Sequence, residues 1–160
     1  MGGGAALVLA LANEAATGRF AARLARLARR GDVIALHGEL GSGKTTFARA
    51  FIRSRLGESL EVPSPTFTLV EIYGGGDSAP AIWHFDLFRL NDAHEARELG
   101  FEEALANDIS LIEWPERLGP LLPAKRLALT FAAGPTSESR NLTVEPSASW
   151  RDRVGELDCD

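Results

Sequence analysis

One segment of the chain combines glycines, a lysine and a threonine at the spacing that phosphate binding requires. The segment reads Gly38-Glu39-Leu40-Gly41-Ser42-Gly43-Lys44-Thr45 and continues into Thr46. Glycines lack a Cβ atom, so successive backbone N–H groups can converge on phosphate oxygens. A helix that begins inside the segment would also direct the positive end of its dipole at the same phosphates. The spacing therefore predicts a phosphate-binding loop.

The polar side chains of this loop have different expected roles. Lys44 is expected to bridge the β- and γ-phosphates of a nucleoside triphosphate as a point charge, which makes it a catalytic residue. The Thr45 hydroxyl is expected to be a Mg²⁺ ligand, and Thr46 is expected to contact the α-phosphate. Residues 38–43 would bind phosphate through their backbone. Together these roles predict a Mg²⁺-dependent nucleotide site.

The sequence on both sides of the loop supports this interpretation over a chance glycine-rich turn. Residues 33–36 form a short apolar run, which predicts a buried strand that leads directly into the loop. Residues 44–56 predict a helix, which Gly57 ends. A strand, a glycine loop and a helix in this order are the context that the motif requires.

The rest of the chain predicts an α/β protein. An amphipathic helix is expected over residues 14–30, and a second over residues 93–106 with a break at Gly100. Strands are expected over residues 66–73, 81–88, 109–112, 126–131 and 141–145. Residues 1–160 are therefore expected to form one P-loop domain, a three-layer α/β sandwich with a mixed central sheet and a core over about 5–146. The N-terminal glycine run and the C-terminal tail are expected to be flexible.

Composition limits the classes of function. The chain has 160 residues and a net charge of −5, so its summed field repels nucleic acid and unaided binding is not expected. Cys159 is the single cysteine, which excludes an internal disulfide and fits a reducing cytoplasm. No apolar stretch approaches the ~20 residues of a membrane helix. The three histidines, His37, His84 and His94, lack metal-ligand spacing and are expected to be structural.

Four further segments, taken together with the loop, resemble one protein family. They are Ser64-Pro65-Thr66-Phe67-Thr68-Leu69, His84-Phe85-Asp86-Leu87-Phe88-Arg89-Leu90, Glu98-Leu99-Gly100 and Leu111-Ile112-Glu113-Trp114-Pro115-Glu116. In this order they resemble the TsaE family, also called YjeE, from about residue 13 to 145. The resemblance implies an ATPase with ATP and Mg²⁺ as cofactors, needed for threonylcarbamoyladenosine modification of tRNA next to the anticodon. It also implies TsaD-like and TsaB-like partners, through which alone the chain would reach tRNA.

The resemblance assigns metal and catalytic roles to three residues outside the loop. It implies that Glu113 ligates Mg²⁺ at the end of a buried strand, where the metal offsets charge that develops during phosphoryl transfer. Asp86 resembles a second functional acid, which helps to hold Mg²⁺ or orients the attacking water. Thr66 lies in a segment that resembles a switch sensing the γ-phosphate.

The resemblance also implies contacts around the base of the nucleotide. The segment that contains Ala15 and Thr17 resembles the piece that approaches adenine, and Arg140 stands where a late nucleotide-side arginine is expected. Trp114 follows the metal acid and, by resemblance, marks a mobile surface near the nucleotide and the partner interface. For Trp114, simple packing in the protein remains an open alternative to this role. For Arg140, the open alternative is a solvated position on a strand without contact to the nucleotide.

Other classes of nucleotide-binding protein are less consistent with the residues. A GTPase would need an Asn-Lys-x-Asp base reader, yet neither Lys44 nor Lys125 follows an asparagine. The chain contains no glutamine, so the water-orienting residue of Ras-type enzymes is absent and slow hydrolysis by the chain alone is expected. A small-molecule kinase would need an arginine-rich lid, which Arg117 alone does not supply. A nucleotide-gated assembly subunit with incidental turnover remains open.

Overall fold

A computed structural model of the chain describes residues 6–65, 67–76, 78–155 and 157. The strands are β1 (Leu7–Leu11), β2 (Val33–His37), β3 (Val70–Gly74), β4 (Ala81–Asp86), β5 (Ile109–Glu113), β6 (Leu127–Ala133) and β7 (Arg140–Pro146). Within these residues they form a seven-stranded sheet in the order β1-β7-β6-β2-β5-β4-β3. Strands β2, β4, β5 and β6 run parallel, whereas β3 and β7 are antiparallel to their neighbours. The predicted mixed sheet is therefore confirmed.

Helices cover both faces of this sheet. They are α1 (Glu14–Leu27), α2 (Lys44–Leu56), α3 (Glu95–Glu98), α4 (Phe101–Asn107) and α5 (Ala148–Gly155), with a 3-10 helix over Pro115–Leu121. Helices α1, α2 and α5 bury Phe20, Phe47 and Trp150 in the core on one face. The 3-10 helix and α4 bury Leu118 and Phe101 on the other face. The predicted three-layer sandwich is confirmed, and burial on both faces explains why the central strands read as continuous apolar runs.

Parallel pairing brings the loop and two acidic residues to one edge of the sheet. Strand β2 pairs Leu36 with Glu113 at the end of β5. Strand β5 in turn pairs Glu113 with Asp86 at the end of β4. The carboxyl ends of these three parallel strands therefore meet where α2 begins. Ligands of open α/β sheets bind at such an edge.

Helix α1 has a side-chain cap at its start and ends before the predicted residue 30. The Asn13 side chain accepts a hydrogen bond from the Ala16 backbone N–H at 2.9 Å, which satisfies one of the free amides of the first turn. The helix ends at Leu27. Beyond that point Asp32 accepts from the Arg29 backbone N–H through its side chain, a local bond that competes with the helical pattern.

The core continues past residue 146, where it was expected to end. Helix α5 buries Trp150 to 1% exposure and also buries Val154. The Arg153 guanidinium lies 3.7 Å from the centre of the Trp150 ring. One of its nitrogens donates to the Leu27 carbonyl at 3.0 Å and to Asp32 Oδ2 at 2.7 Å. Helix α5 is thereby fixed to the C-terminal end of α1. The i, i+4 spacing of Trp150 and Val154 was its sequence signal.

Strand boundaries at the two edges of the sheet differ from the prediction. Strand β1 was not predicted, although Leu7–Leu11 alternates between more buried and more exposed residues as an edge strand does. Strand β3 begins at Val70 instead of residue 66, because Leu69 adopts a left-handed φ of 68° and turns the chain. Strand β4 ends at Asp86 instead of residue 88. Both differences shorten strands next to the predicted site.

The helical segment between β4 and β5 breaks at the predicted glycine. Gly100 has a φ of 87° and separates α3 from α4. A Cβ atom at this position would also lie 2.9 Å from the Trp83 ring, so the packing favours glycine independently. None of the helices in the described part of the chain is long and apolar enough to cross a membrane.

Candidate functional site

The loop between β2 and α2 has the backbone shape of a phosphate cradle. Gly38, Gly41 and Gly43 have φ angles of 142°, 75° and 113°, which residues with a side chain rarely adopt. A Cβ atom on Gly38 would lie 2.5 Å from Ser42 Oγ and 2.8 Å from the Phe131 carbonyl oxygen. Gly43 is the N-cap of α2 and gives no side-chain hydrogen bond to its first amides. A phosphate anion would satisfy those amides.

Lys44 lies buried at the first position of α2. Its Nζ donates to the Gly38 carbonyl at 2.6 Å and lies 3.5 Å from the centre of the Trp114 ring. Burial lowers the pKa of Lys44, while nearby carboxylates, Glu113 the strongest of them, act in the opposite direction. A phosphate oxygen is a stronger acceptor for an ammonium than a neutral carbonyl. Lys44 is therefore placed to exchange its present partners for phosphate.

Trp114 continues the chain directly after Glu113 in an unusual backbone conformation. Its φ and ψ are 59° and 51°, in the left-handed region, which costs of order 1–3 kcal/mol for a residue other than glycine. Its ring contacts Lys44 and lies 5.0 Å from the Phe88 ring, centre to centre. It also borders the cavity above the loop. The side chain thus contacts the predicted phosphate-binding residue and also packs against the core on the other face of the sheet.

A buried row of polar side chains joins α2 to β5 and β4. The Thr45 hydroxyl lies 3.0 Å from both Oε1 and Oε2 of Glu113. On the other side of this carboxylate, His84 Nε2 lies 2.7 Å from Glu113 Oε2. Glu113 is 2% exposed and His84 is fully buried. An ionised carboxylate only accepts hydrogen bonds, so we assign the Thr45 hydroxyl and the His84 Nε2–H as donors.

Asp86 ends β4 beside this row. Its Oδ1 accepts from the Phe88 backbone N–H at 3.1 Å, which orients the carboxylate at the strand end. The side chain is largely buried but borders the cavity. Asp86 lies one strand further from the loop than its register partner Glu113. This position suits an acid that acts on a water molecule in the site.

A cavity of about 390 Å³ opens over the loop, within the range of roughly 300–1,000 Å³ that is common for small-molecule sites. The predicted residues in its lining are Leu40, Gly41, Ser42, Gly43, Lys44, Thr45, Thr46, Asp86, Glu113, Thr17 and Arg140. The loop, both acids and two of the predicted base-side residues are therefore brought together around one space.

Three of the predicted site residues that the structure describes are not part of this lining. Gly38 and Glu39 begin the loop, and Gly38 contributes through its carbonyl contact with Lys44. Ala15 is exposed and lies outside the lining. Thr66 lies outside the described residues. Roles of Ala15 in base recognition and of Thr66 in sensing the γ-phosphate therefore stay predictions.

Sequence reasoning missed several residues that the fold brings to the site. His84 was expected to be structural, yet it contacts Glu113. Its i, i+2 spacing from Asp86 puts both on the same face of β4 and could have indicated a shared site. The connection between β6 and β7 adds Ser137 and Glu138 to the cavity lining. Those two lie in a turn without any recognisable motif, so no pattern of residues indicated them.

The residues around Thr45 fit Mg²⁺ bound together with a nucleotide. Across the described ranges, no group of three or more His, Cys, Asp and Glu side chains is arranged to hold a metal ion. Mg²⁺ usually takes one or two carboxylates and completes its octahedral shell with water and substrate phosphates. Thr45, Glu113 and Asp86 supply oxygen donors of this kind, and the phosphates would come from the nucleotide.

Arg140 connects the loop to the turn between β6 and β7. Its Nε donates to the Ser42 carbonyl at 2.8 Å, and its Nη2 donates to the Gly41 carbonyl at 3.2 Å. Its Nη1 donates to the carbonyls of Ser137 and Ser139 at 2.9 and 2.7 Å. A planar guanidinium with five donors can hold four carbonyls together, which an ammonium cannot do. Arg140 borders the cavity as predicted, but these contacts position the loop.

We expect Arg140→Lys to loosen the phosphate cradle while keeping the positive charge. Loss of the forked contacts should lower the free energy of unfolding by about 1–2 kcal/mol and weaken nucleotide binding several-fold. Thermal unfolding and calorimetry measure the two effects. Arg97→Lys, at an exposed position on α3, is the matched control and should change neither. Wild-type stability and affinity in Arg140→Lys would contradict the positioning role.

Comparison with known proteins identifies relatives of this chain. A sequence model of the family described as "Threonylcarbamoyl adenosine biosynthesis protein TsaE" matches residues 11–142. The TsaE protein of Rickettsia felis is 43% identical over 115 residues, which are 72% of this chain and 66% of that protein. The TsaE protein of Bacillus subtilis is 36% identical over 120 residues, 74% of this chain and 73% of that protein. Both are named tRNA threonylcarbamoyladenosine biosynthesis proteins.

A solved structure extends the similarity beyond the family-matched segment. The crystal structure of YdiB from Bacillus subtilis has a TM-score of 0.78 and 29% sequence identity to this chain. The likeness covers 96% of this chain and 95% of that one. The resemblance seen in the sequence is confirmed by the family match, the relatives and the shared fold. This chain therefore belongs to the TsaE family, whose members are named for tRNA threonylcarbamoyladenosine biosynthesis.

Proposed function

We propose that this chain is a Mg²⁺-dependent ATPase that serves threonylcarbamoyladenosine modification of tRNA next to the anticodon. It would bind ATP in the cavity above the loop and convert it to ADP and phosphate. The observation that carries the proposal is that Lys44, Thr45 and Glu113 meet beneath a glycine-rich loop, at the carboxyl ends of parallel strands. Membership of the TsaE family supports a nucleotide-binding role.

Each residue has a separate task in this mechanism. The loop amides and Lys44 would bind the β- and γ-phosphates and oppose the charge that develops on them. Because Thr45 donates its hydrogen to Glu113, the lone pairs of its hydroxyl are available to a metal ion. Mg²⁺, when bound, supplies positive charge next to the reacting phosphates. Asp86 would orient the attacking water. The sequence contains no glutamine, the residue that orients this water in Ras-type enzymes, so slow turnover by the chain alone is expected.

We propose TsaD-like and TsaB-like proteins as the partners that contact tRNA. The net charge of −5 supports this arrangement, since an acidic chain would repel the tRNA backbone. Partner binding would also account for stimulation of a slow intrinsic ATPase. The proposed location is the cytoplasm, which agrees with a single cysteine, Cys159, in the sequence.

Tryptophan emission tests nucleotide binding at this site. Phosphate would draw Lys44 Nζ away from the Trp114 ring, which it now contacts at 3.5 Å, so emission should change saturably with Mg-ATP. Trp83 and Trp150 are buried in the two cores and should not respond. We expect Trp114→Phe to abolish the emission change while calorimetry still detects Mg-ATP binding.

Two results of this experiment would contradict the proposal. If folded wild-type protein releases or absorbs no heat with Mg-ATP, the cavity is not a nucleotide site. If the emission change survives in Trp114→Phe, the signal arises elsewhere and Trp114 does not report on Lys44. Thermal unfolding of the same samples provides the control that both proteins are folded.

A further inference from the structure

We propose that His84 is a positioning residue, which fixes the carboxylate of Glu113 for metal binding. This inference rests on the proposed function, because it concerns the Mg²⁺ that Glu113 would help to hold. His84 lies on β4, two residues before Asp86 and two after Ile82. Residues at this spacing share one face of a strand, and Ile82 belongs to the core beneath α1 and α2. His84 therefore lies on the α2 side of the sheet, where Thr45 lies in the first turn of the helix.

The imidazole and the carboxylate contact each other away from water. The distance from His84 Nε2 to Glu113 Oε2 is 2.7 Å, and the two side chains are 0% and 3% exposed. A hydrogen bond to an ionised group is roughly twice as strong as one between neutral groups. A buried carboxylate oxygen without a donor would cost of order 1–3 kcal/mol or more. The contact therefore favours one orientation of Glu113.

His84 contacts only one of the two carboxylate oxygens. Oε2 accepts from His84 Nε2 at 2.7 Å, whereas the Thr45 hydroxyl lies 3.0 Å from both Oε1 and Oε2. The last torsion of a glutamate side chain has a broad energy minimum, so a second donor is needed to fix it. The Thr45 hydroxyl lies equally far from both oxygens and does not distinguish them, so His84 is the contact that holds Oε2 in particular. The orientation of the Glu113 carboxylate, to which Thr45 also donates, thus depends on the neighbouring imidazole.

Packing alone does not account for a histidine at this position. Its neighbours along β4 are the apolar residues Ile82, Trp83 and Phe85, all buried. The second ring nitrogen, Nδ1, is buried and has no hydrogen-bond partner in the portion of the chain that the structure describes. An unpaired buried polar atom is destabilising, so an apolar side chain would serve the core better. A polar residue kept at a cost in stability is typical of functional sites.

Two amide substitutions separate positioning from packing. His84→Gln places its amide nitrogen near the position of Nε2, where it can donate to Glu113. The shorter amide of His84→Asn stays near the position of Nδ1 and cannot reach. Electron paramagnetic resonance of Mn²⁺, added with a non-hydrolysable ATP analogue, measures metal binding without turnover. We expect His84→Asn to weaken Mn²⁺ binding about 10–100-fold and His84→Gln to recover most of this loss.

Nucleotide binding in EDTA is the second measurement, and it should stay close to wild type in both variants. Ile82→Val, on the same strand face, is the packing control and should leave Mn²⁺ affinity unchanged. His84→Leu, which removes every donor at similar volume, takes the place of His84→Asn if that variant does not fold. The inference is overturned if His84→Asn, or His84→Leu in its place, binds Mn²⁺ with wild-type affinity. It is also overturned if His84→Gln, His84→Asn and Ile82→Val lose Mn²⁺ affinity equally. If wild-type protein binds no Mn-nucleotide, the proposed function fails and the inference fails with it.

Discussion

Replacement of Lys44 by alanine should weaken ATP binding by about 10–100-fold in calorimetry. The reason is that a hydrogen bond to a charged group contributes about 1.5–3 kcal/mol, and about 1.4 kcal/mol corresponds to a factor of ten. Turnover should fall further than affinity, because charge that develops on the phosphates loses a fixed cation. The loop amides remain in this variant, so residual binding is expected.

The same substitution should leave the nucleotide-free fold intact. Burial lowers the pKa of Lys44, which means that the folded chain disfavours the charged ammonium relative to the unfolded chain. This penalty is fully present below the lowered folded pKa, and it declines as the pH rises from that value to the unfolded pKa. Lys44→Ala should therefore keep or raise the melting temperature near neutral pH. Loss of ATP binding with retained stability distinguishes a site residue from a core residue.

Lys125 is the matched control for this prediction. It is the second of two lysines in the sequence and lies exposed before β6. Lys125→Ala should bind ATP as the wild type does. If Lys44→Ala binds ATP with wild-type affinity, the loop does not bind phosphate as proposed. The same conclusion follows if Lys44→Ala and Lys125→Ala lose equal affinity for ATP.

Glu113→Ala should separate ATP binding from ATP hydrolysis. Metal charge next to the reacting phosphates contributes several kcal/mol, so we expect phosphate release to fall about 100–1,000-fold. ATP binding in EDTA should remain near wild type, because the loop and Lys44 are unchanged. Glu113→Gln keeps the shape and one oxygen and should retain more activity than alanine. Glu103→Ala, at an exposed site on α4, should behave as wild type.

The glutamate variant also distinguishes an ATPase cycle from a nucleotide-gated assembly. The comparison is tRNA modification with reconstituted TsaD-like and TsaB-like partners, at substrate excess over the complex. If hydrolysis resets the complex, Glu113→Ala should support no more than one round. If the variant binds ATP, releases no phosphate and still supports many rounds, hydrolysis is incidental and the assembly alternative is correct.

The phosphate cradle and the two acids could be predicted because their signals are local in the sequence. The glycine spacing of residues 38–43 indicates the loop by itself, whereas Glu113 and Asp86 were predicted because the segments that contain them resemble the TsaE family. Edge strand β1 was missed because its five residues give only a short alternation, which cannot be distinguished from a loop without its partner β7.

The supporting contacts could not be predicted, since they join segments far apart in the chain. His84 and Glu113 are separated by 29 positions, and Arg140 holds the carbonyl of Ser42 across 98. Periodicity reports which face of an element a side chain occupies, but it does not report which element packs against that face. The resemblance put Arg140 on the nucleotide side, which stays a prediction, but it gave no indication that the guanidinium holds the loop backbone.

The attachment of α5 to α1 determines how far the independently folding unit extends. The family-matched segment ends at residue 142, yet Trp150 and Arg153 lie beyond it and are buried. A shortened chain that ends at residue 146 would retain every residue of the nucleotide site but lose the burial of Trp150, about 3–5 kcal/mol. Domains of this kind have only about 5–15 kcal/mol of total stability. Inactivity of such a chain would therefore report unfolding and not a missing chemical group.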